Sequence, residues 1–225
     1  MAKRSDGGLR ADAARNRARL LAAARDVFTD HGLDVSMRQI ALHAGVSEPT
    51  LRRRFSSKEE LVAEAFQDKI ALYADAAEEA LGDPDPWAGF TAFVRRLARM
   101  QLADRGFTEV LTMTFPATMR AEEQRLRAYA AVTELIRRAQ EDGSLRQDFS
   151  PEDLVLTLLA HAGVAAGGGE IKGTFSARLL AYLFEAFAAP GTGELPPAPS
   201  VTATYRALLR VHRDSGPAAA GSSPT

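Results

Sequence analysis

Apolar residues recur along most of this chain at intervals of three and four, the spacing of one helical face; strict alternation is almost absent. Leu20, Ala24, Val27 and Phe28 form one such stripe and predict a helix from about Asp12 to His31, ended by Gly32. Two short helices follow. Ser36 is a suitable N-cap, and Gln39 three residues later completes a capping box; Ile40 and Ala41 face inward, and Gly45 turns the chain. Ser47 caps the next helix, which tolerates Pro49 in its first turn and turns Leu51 and Phe55 to the core. Ser57 and Glu60 make a second capping box, opening a helix that Leu61, Ala65, Ile70 and Leu72 carry to about Ala80.

Beyond the break at Gly82 to Pro86 a helix starts near Trp87 and presents Phe90, Phe93, Val94, Leu97 and Met100 up to about Ala103. Asp83 and Asp85 read as turn residues in preference to metal ligands, since no further ligands accompany them. Val110 to Phe115 alternates like a strand but has no partner strand, so it reads as a short helix ended before Pro116. Met119 to Glu141 is a long helix with Leu126, Tyr129, Val132, Leu135 and Ile136 inward. Two further apolar helices span Pro151 to about Ala166 and Phe175 to Ala188, with Gly167 to Gly169 as a flexible connection. Pro190 to Pro199 is a loop, Thr202 to Val211 a possible short helix, and the last residues, from 214, carry no apolar pattern and read as a disordered tail.

Composition narrows the class. The chain has 225 residues, 46% hydrophobic and 25% charged, with no apolar run of membrane-spanning length and no apolar segment after its basic start. It has no cysteine, which removes disulfides and thiolate chemistry and fits a cytoplasmic location. No nucleophile with its base, metal triad or catalytic carboxylate pair can be assembled, so an enzyme is not expected, and no cofactor. The net charge of -1 conceals an asymmetry: residues 1–60 hold 12 Lys and Arg against 8 Asp and Glu, the remainder 16 against 21.

Two short helices about a tight turn, on a basic amino-terminal quarter, have the grammar of a helix-turn-helix whose second helix enters the major groove. Ser36 and Arg38 at the start of the first helix are candidate DNA contacts. So are Ser47, Glu48, Pro49, Thr50, Arg52, Arg53 and Arg54 along the second. Lys58, at a helix N-terminus where free N–H groups favour an anion, is a candidate phosphate contact. Arg15, Arg17 and Arg19 offer one or two more backbone contacts. Residues 1–10 read as a flexible arm whose Lys3, Arg4 and Arg10 either reach a minor groove or have no role.

The Phe28 to Gly32 helix end, IALHAGVS at 40–47, TLRRRF at 50–55 and SKEEL at 57–61 together resemble the tetracycline-repressor (TetR) family of bacterial regulators, over residues 12–66. Arg52 stands where that family usually has tyrosine, and Arg54 where it usually has histidine, so guanidinium contacts are expected in place of a tyrosine hydroxyl. The resemblance implies a small-molecule pocket in the carboxy-terminal domain, and a dimer formed by the last two long helices pairing with their copies.

In that domain Phe90, Phe93, Met100, Phe107, Met113, Met119 and Tyr129 are either core residues or the lining of an apolar effector cavity. His161 is either a polar anchor there or, the preferred reading, a hydrogen-bonded core histidine. The expectation is an all-α protein. A three-helix DNA-binding unit occupies residues 1–56, a helical regulatory and dimerisation domain 57–213, and a tail 214–225. Its expected partners are a double-stranded DNA operator, a second copy and a small hydrophobic effector that releases it; the alternative is an effector-independent dimeric regulator.

Overall fold

The structure, a computed structural model, describes residues 5–112, 119–191, 193–200 and 202–204. Helices α1 (Ser5–His31), α2 (Met37–His43), α3 (Glu48–Arg52) and the first half of α4 (Lys58–Ala80) make a head. The rest of α4, α5 (Pro86–Ala103), α7 (Met119–Glu141), α8 (Pro151–Gly167) and α9 (Lys172–Phe187) make a body, and α6 (Arg105–Thr112) lies between. No strand occurs among the described residues; the nearest approach is a single bridge between Leu145 and Ala188.

The head closes on Leu20, Phe28, Ile40, Leu51, Phe55 and Leu61, none of which is reached by solvent. At about 1.5–3 kcal/mol for each fully buried large apolar side chain, this cluster supplies most of what holds the short helices α2 and α3, too short to persist alone. Ser36 caps α2 as expected, with Gln39 N–H donating to its hydroxyl and its own N–H donating to the Gln39 side-chain Oε1. The helix ends in a Schellman turn: Val46 N–H donates to Ala41 O and Gly45 N–H to Leu42 O, with Gly45 at φ +67. Only that left-handed residue lets α3 cross α2 so closely.

Several elements depart from the sequence reading. Helix α1 begins at Ser5, ahead of Asp12, so most of the expected arm is helical. Apolar periodicity reports a buried face and not helix as such, and Gly7 and Gly8 cost only about 1 kcal/mol each. Ser47 occupies the N-cap of α3, but its hydroxyl is hydrogen-bonded to the Thr50 hydroxyl, 2.8 Å away, and accepts from no backbone N–H. The second capping box is displaced by one residue: Glu60 N–H donates to Ser57, while the Glu60 carboxylate accepts from Ser56 N–H and hydroxyl.

Leu72, Leu126 and Tyr129, expected inward, are 48%, 63% and 49% exposed. The stripe that α7 buries is Ala128, Ala131, Val132, Leu135, Ile136 and Ala139, and α4 buries Ile70, Ala74 and Ala77. Small side chains on both helices let them run close together, leaving the larger residues one step round the helix outside. Gly169–Ile171 forms a turn of 3-10 helix where a flexible connection was expected. Asp85 caps α5 and Asp83 accepts from Asp85 N–H, so both aspartates are turn residues. Val110 lies in α6, which reaches Thr112; the rest of that segment, the tail from 214, and all but Thr202–Thr204 of the possible last helix lie outside the described residues.

Candidate nucleic-acid interface

Helix α3 buries Leu51, and Phe55 just beyond it is buried too, while Ser47, Pro49, Arg52 and Arg53 stay exposed. Arg52 Nε donates to Glu48 Oε1 at 2.8 Å, one turn earlier, and Arg53 donates to Thr50 Oγ1 at 3.3 Å. These contacts between neighbours on one helix, 52% exposed at Arg52, are worth a few tenths of a kcal/mol, so a base edge or phosphate displaces them cheaply. Arg38, at the start of α2, and Arg54, just past α3, are also exposed; Lys58 opens α4 and is half-buried. The Ser36 hydroxyl is committed to its capping box. Lys3 and Arg4 lie outside the described residues, as does the side chain of Arg10.

Of the three α1 arginines offered as backbone contacts, Arg17 is turned inward. It donates to both oxygens of Glu64 in α4 and, at 3.0 Å, to the carbonyl oxygen of Arg54, with its guanidinium 4.4 Å above the Phe55 ring. Arg15 pairs with Asp12 and Arg19 donates to Asn16, both on the exposed surface.

Head and body meet at α6. Phe107 and Val110 belong to the core of the head, and a Cβ at Gly106 would stand 2.7 Å from Phe28 O and 2.8 Å from Phe66 Cζ. No side chain fits there, which lets α6 lie against α1. Asp104, 4% exposed, accepts from Lys69 of α4, from Thr29 of α1 at 3.3 Å and from Phe107 N–H at 2.8 Å. Burial and nearby Arg25 push the Lys69 ammonium below its ordinary value. Leu33 N–H, just after α1, donates to Glu109 of α6 at 2.5 Å. A cleft of about 470 Å³ opens beside this seam, between Thr29 and Asp30 of α1, α6, the end of α8 and Lys172.

The residues offered as effector lining do not gather on one cavity. Phe90 and Phe93 are packed into the body core, Phe90 against Trp87 and Phe149, and Phe93 against Tyr73. Phe107 fills the core of the head, Met100 is half-buried between the two cores, and Tyr129 is on the surface. Met113 and the Met119 side chain lie outside the described residues. His161, 1% exposed, has both ring nitrogens occupied, Nδ1 by Gln101 Oε1 at 2.8 Å and Nε2 by Ser176 Oγ at 2.7 Å. Gln101 gives its amide N–H to Leu158 O, so its oxygen accepts from Nδ1–H and Nε2 accepts from the serine hydroxyl. Burial pushes the imidazole below its ordinary value. It is a structural tie joining α5, α8 and α9.

The profile described as "Bacterial regulatory proteins, tetR family" matches residues 20–65, and that of "Transcriptional regulator SbtR-like, C-terminal domain" matches residues 85–185. A TetR transcription regulatory protein from Mycobacterium vanbaalenii is 30% identical, over 80% of this chain and 99% of its own, with a TM-score of 0.47. The chain belongs to the TetR family. The fold is also that of a TetR family regulator from Marinobacter aquaeolei (20% identity, 80% and 98% of the two chains, TM-score 0.53). So is that of the fatty acid degradation regulator FadR from Bacillus halodurans (18% identity, 74% and 97%, TM-score 0.53). None of the curated proteins matches the sequence.

As a TetR family member it is a DNA-binding transcription regulator, and no helix among the described residues is long and apolar enough to cross a membrane. Sequence reasoning missed Gln101, Ser176, Asp104 and Glu64, polar residues on otherwise ordinary helices whose partners lie on other helices. The one signal available for Asp104 was its place directly between two helices, where an acidic residue caps the second.

Proposed function

We propose that this TetR family regulator is a cytoplasmic homodimeric repressor that reads a palindromic operator and is released by a small hydrophobic effector. The observation that carries the coupling is the course of α4. It is one helix of 23 residues, about 34 Å long, with Leu61, Phe66 and Ile70 in the core of the head and Ala76 and Ala77 in that of the body. A ligand that repacks the body around Tyr73, Phe93 and Met100 displaces the same rod that carries the head. Tyr73 stands where the two cores meet, and burial pushes its phenol up to about 12. Operator and effector then favour different states of one helix.

The dimer rests on α8 and α9. Only Leu154, Thr157, Leu158 and His161 of α8 are buried, while Leu156 on the same helix and Phe175 and Tyr182 on α9 are 64%, 48% and 59% exposed. A symmetric partner covers apolar area of that kind. Two copies of α3 then meet successive major-groove faces roughly 34–36 Å apart. Arg52, Arg53 and Thr50 serve as base readers, with Arg38, Arg54 and Lys58 on phosphates.

Selection of duplexes from a random pool, followed by footprinting, tests the DNA half of this reading; a two-fold symmetric consensus is expected, and an asymmetric single half-site contradicts it. Thermal-shift screening against hydrophobic compounds tests the effector half. A compound that raises the melting temperature is expected to weaken binding to the selected duplex; stabilisation with unchanged DNA binding contradicts release.

A further inference from the structure

We infer that Arg17 is a positioning residue for DNA reading: its guanidinium fixes the trailing end of the recognition helix α3 to α4, and it is not itself a DNA contact. Helix α3 has only five residues, Glu48 to Arg52, and its Ser47 hydroxyl bonds the Thr50 hydroxyl and caps no backbone N–H, so little within the helix sets its direction. Its trailing end is held from outside by Leu51 and Phe55 in the core and by Arg17. One edge of the Arg17 fork meets Glu64 of α4, a further N–H reaches Arg54 O beyond the last turn of α3, and the flat face covers Phe55. A cation over the carbonyl end of a helix is favourable, and the planar fork fixes direction as well as distance. Arg17 thus registers the readers Arg52 and Arg53 against α4.

A second α1 arginine gives an internal control. Arg25 donates to Ala65 O at 2.7 Å and to Asp68 at 3.0 Å, so it also ties α1 to α4, but it touches no part of α3. Loosening the head in general and tilting α3 are therefore separable.

The test uses the full chain and two duplexes: one selected from a random pool by the wild-type protein, and one of scrambled sequence. Loss of one well-placed base contact corresponds to about tenfold. Arg17→Ala and Arg17→Lys are each expected to weaken the selected duplex about tenfold and the scrambled one less than twofold, with an unchanged salt slope. Lysine keeps the charge but not the fork, so it does not rescue. Glu64→Gln removes a negative charge, which by electrostatics alone strengthens DNA binding, yet it is expected to weaken the selected duplex. Arg25→Ala is expected to lower the melting temperature comparably while keeping the ratio of the two affinities. Three results overturn the inference: full rescue by lysine; equal losses on both duplexes with the salt slope reduced by about one, the mark of a phosphate contact; or the same loss of discrimination in Arg25→Ala.

Discussion

The head and the α8–α9 face of the body close their hydrophobic surfaces differently. In the head, five large side chains from four helices and Phe55 just past α3 have no exposure, and the turns between them are fixed by hydrogen-bonded caps. On α8 and α9, Leu156, Phe175 and Tyr182 stand largely in solvent beside buried Leu158 and Leu180. The head is complete within one chain, as a reader held rigid against DNA has to be. The body leaves apolar side chains of α8 and α9 uncovered within one chain, and this is the surface proposed above to pair with a second copy. Helix α4 packs into the core of the head and into the core of the body, so it joins the two regions directly.

Substitutions that separate the two regions sharpen this contrast. Phe55→Ala empties the centre of the head and is expected to cost about 3–5 kcal/mol in denaturant unfolding, at any protein concentration. A concentration-dependent loss would mean that the head, too, leans on a partner. Leu156→Glu is expected to leave the helical signal intact and to weaken dimerisation about thirtyfold or more in sedimentation, roughly 2 kcal/mol, as for a central interface residue. If the dimer survives unchanged, α8 is not its interface.

Smaller effects probe single contacts of the head. Arg53→Ala is expected to cost about 1–3 kcal/mol on selected DNA and much less on scrambled DNA in equilibrium binding; equal losses would make it a phosphate contact. Glu60 accepts from Ser56 and is held below the usual carboxylate range, chiefly by that side chain's hydrogen bond. With the folded value depressed, its contribution is full above the ordinary value of 4.5 and is lost as pH falls through the lower, folded one. Glu60→Ala is accordingly expected to cost about 0.5–1 kcal/mol at pH 7 and progressively less as pH falls below 4.5, as measured by urea unfolding. A pH-independent cost would assign the loss to helix propensity.

Much of this architecture was legible locally. The capping box at Ser36, the Gly45 turn, the Leu51–Phe55 face and the ends of α5 and α7 each rest on residues within a few positions of one another, so the sequence displays them directly. The features that escaped depend on partners far along the chain. Glu64 lies 47 residues from Arg17, and Gln101 lies 60 from His161. Leu126 and Tyr129 misled because large apolar residues outrank alanines in any search for a buried face, whereas close α4–α7 packing selects the alanines.

The central claim is that α4 sets the separation of the two heads and that an effector resets it. The chain has no cysteine, so His43→Cys, on exposed α2, takes a single spin label in each protomer. The label-to-label distance is then measured by pulsed dipolar spectroscopy with selected DNA, and again with a compound that raises the melting temperature. Two distinct distances are expected, the DNA-bound one narrowly distributed. One unchanged distance under both conditions would contradict transmission through α4.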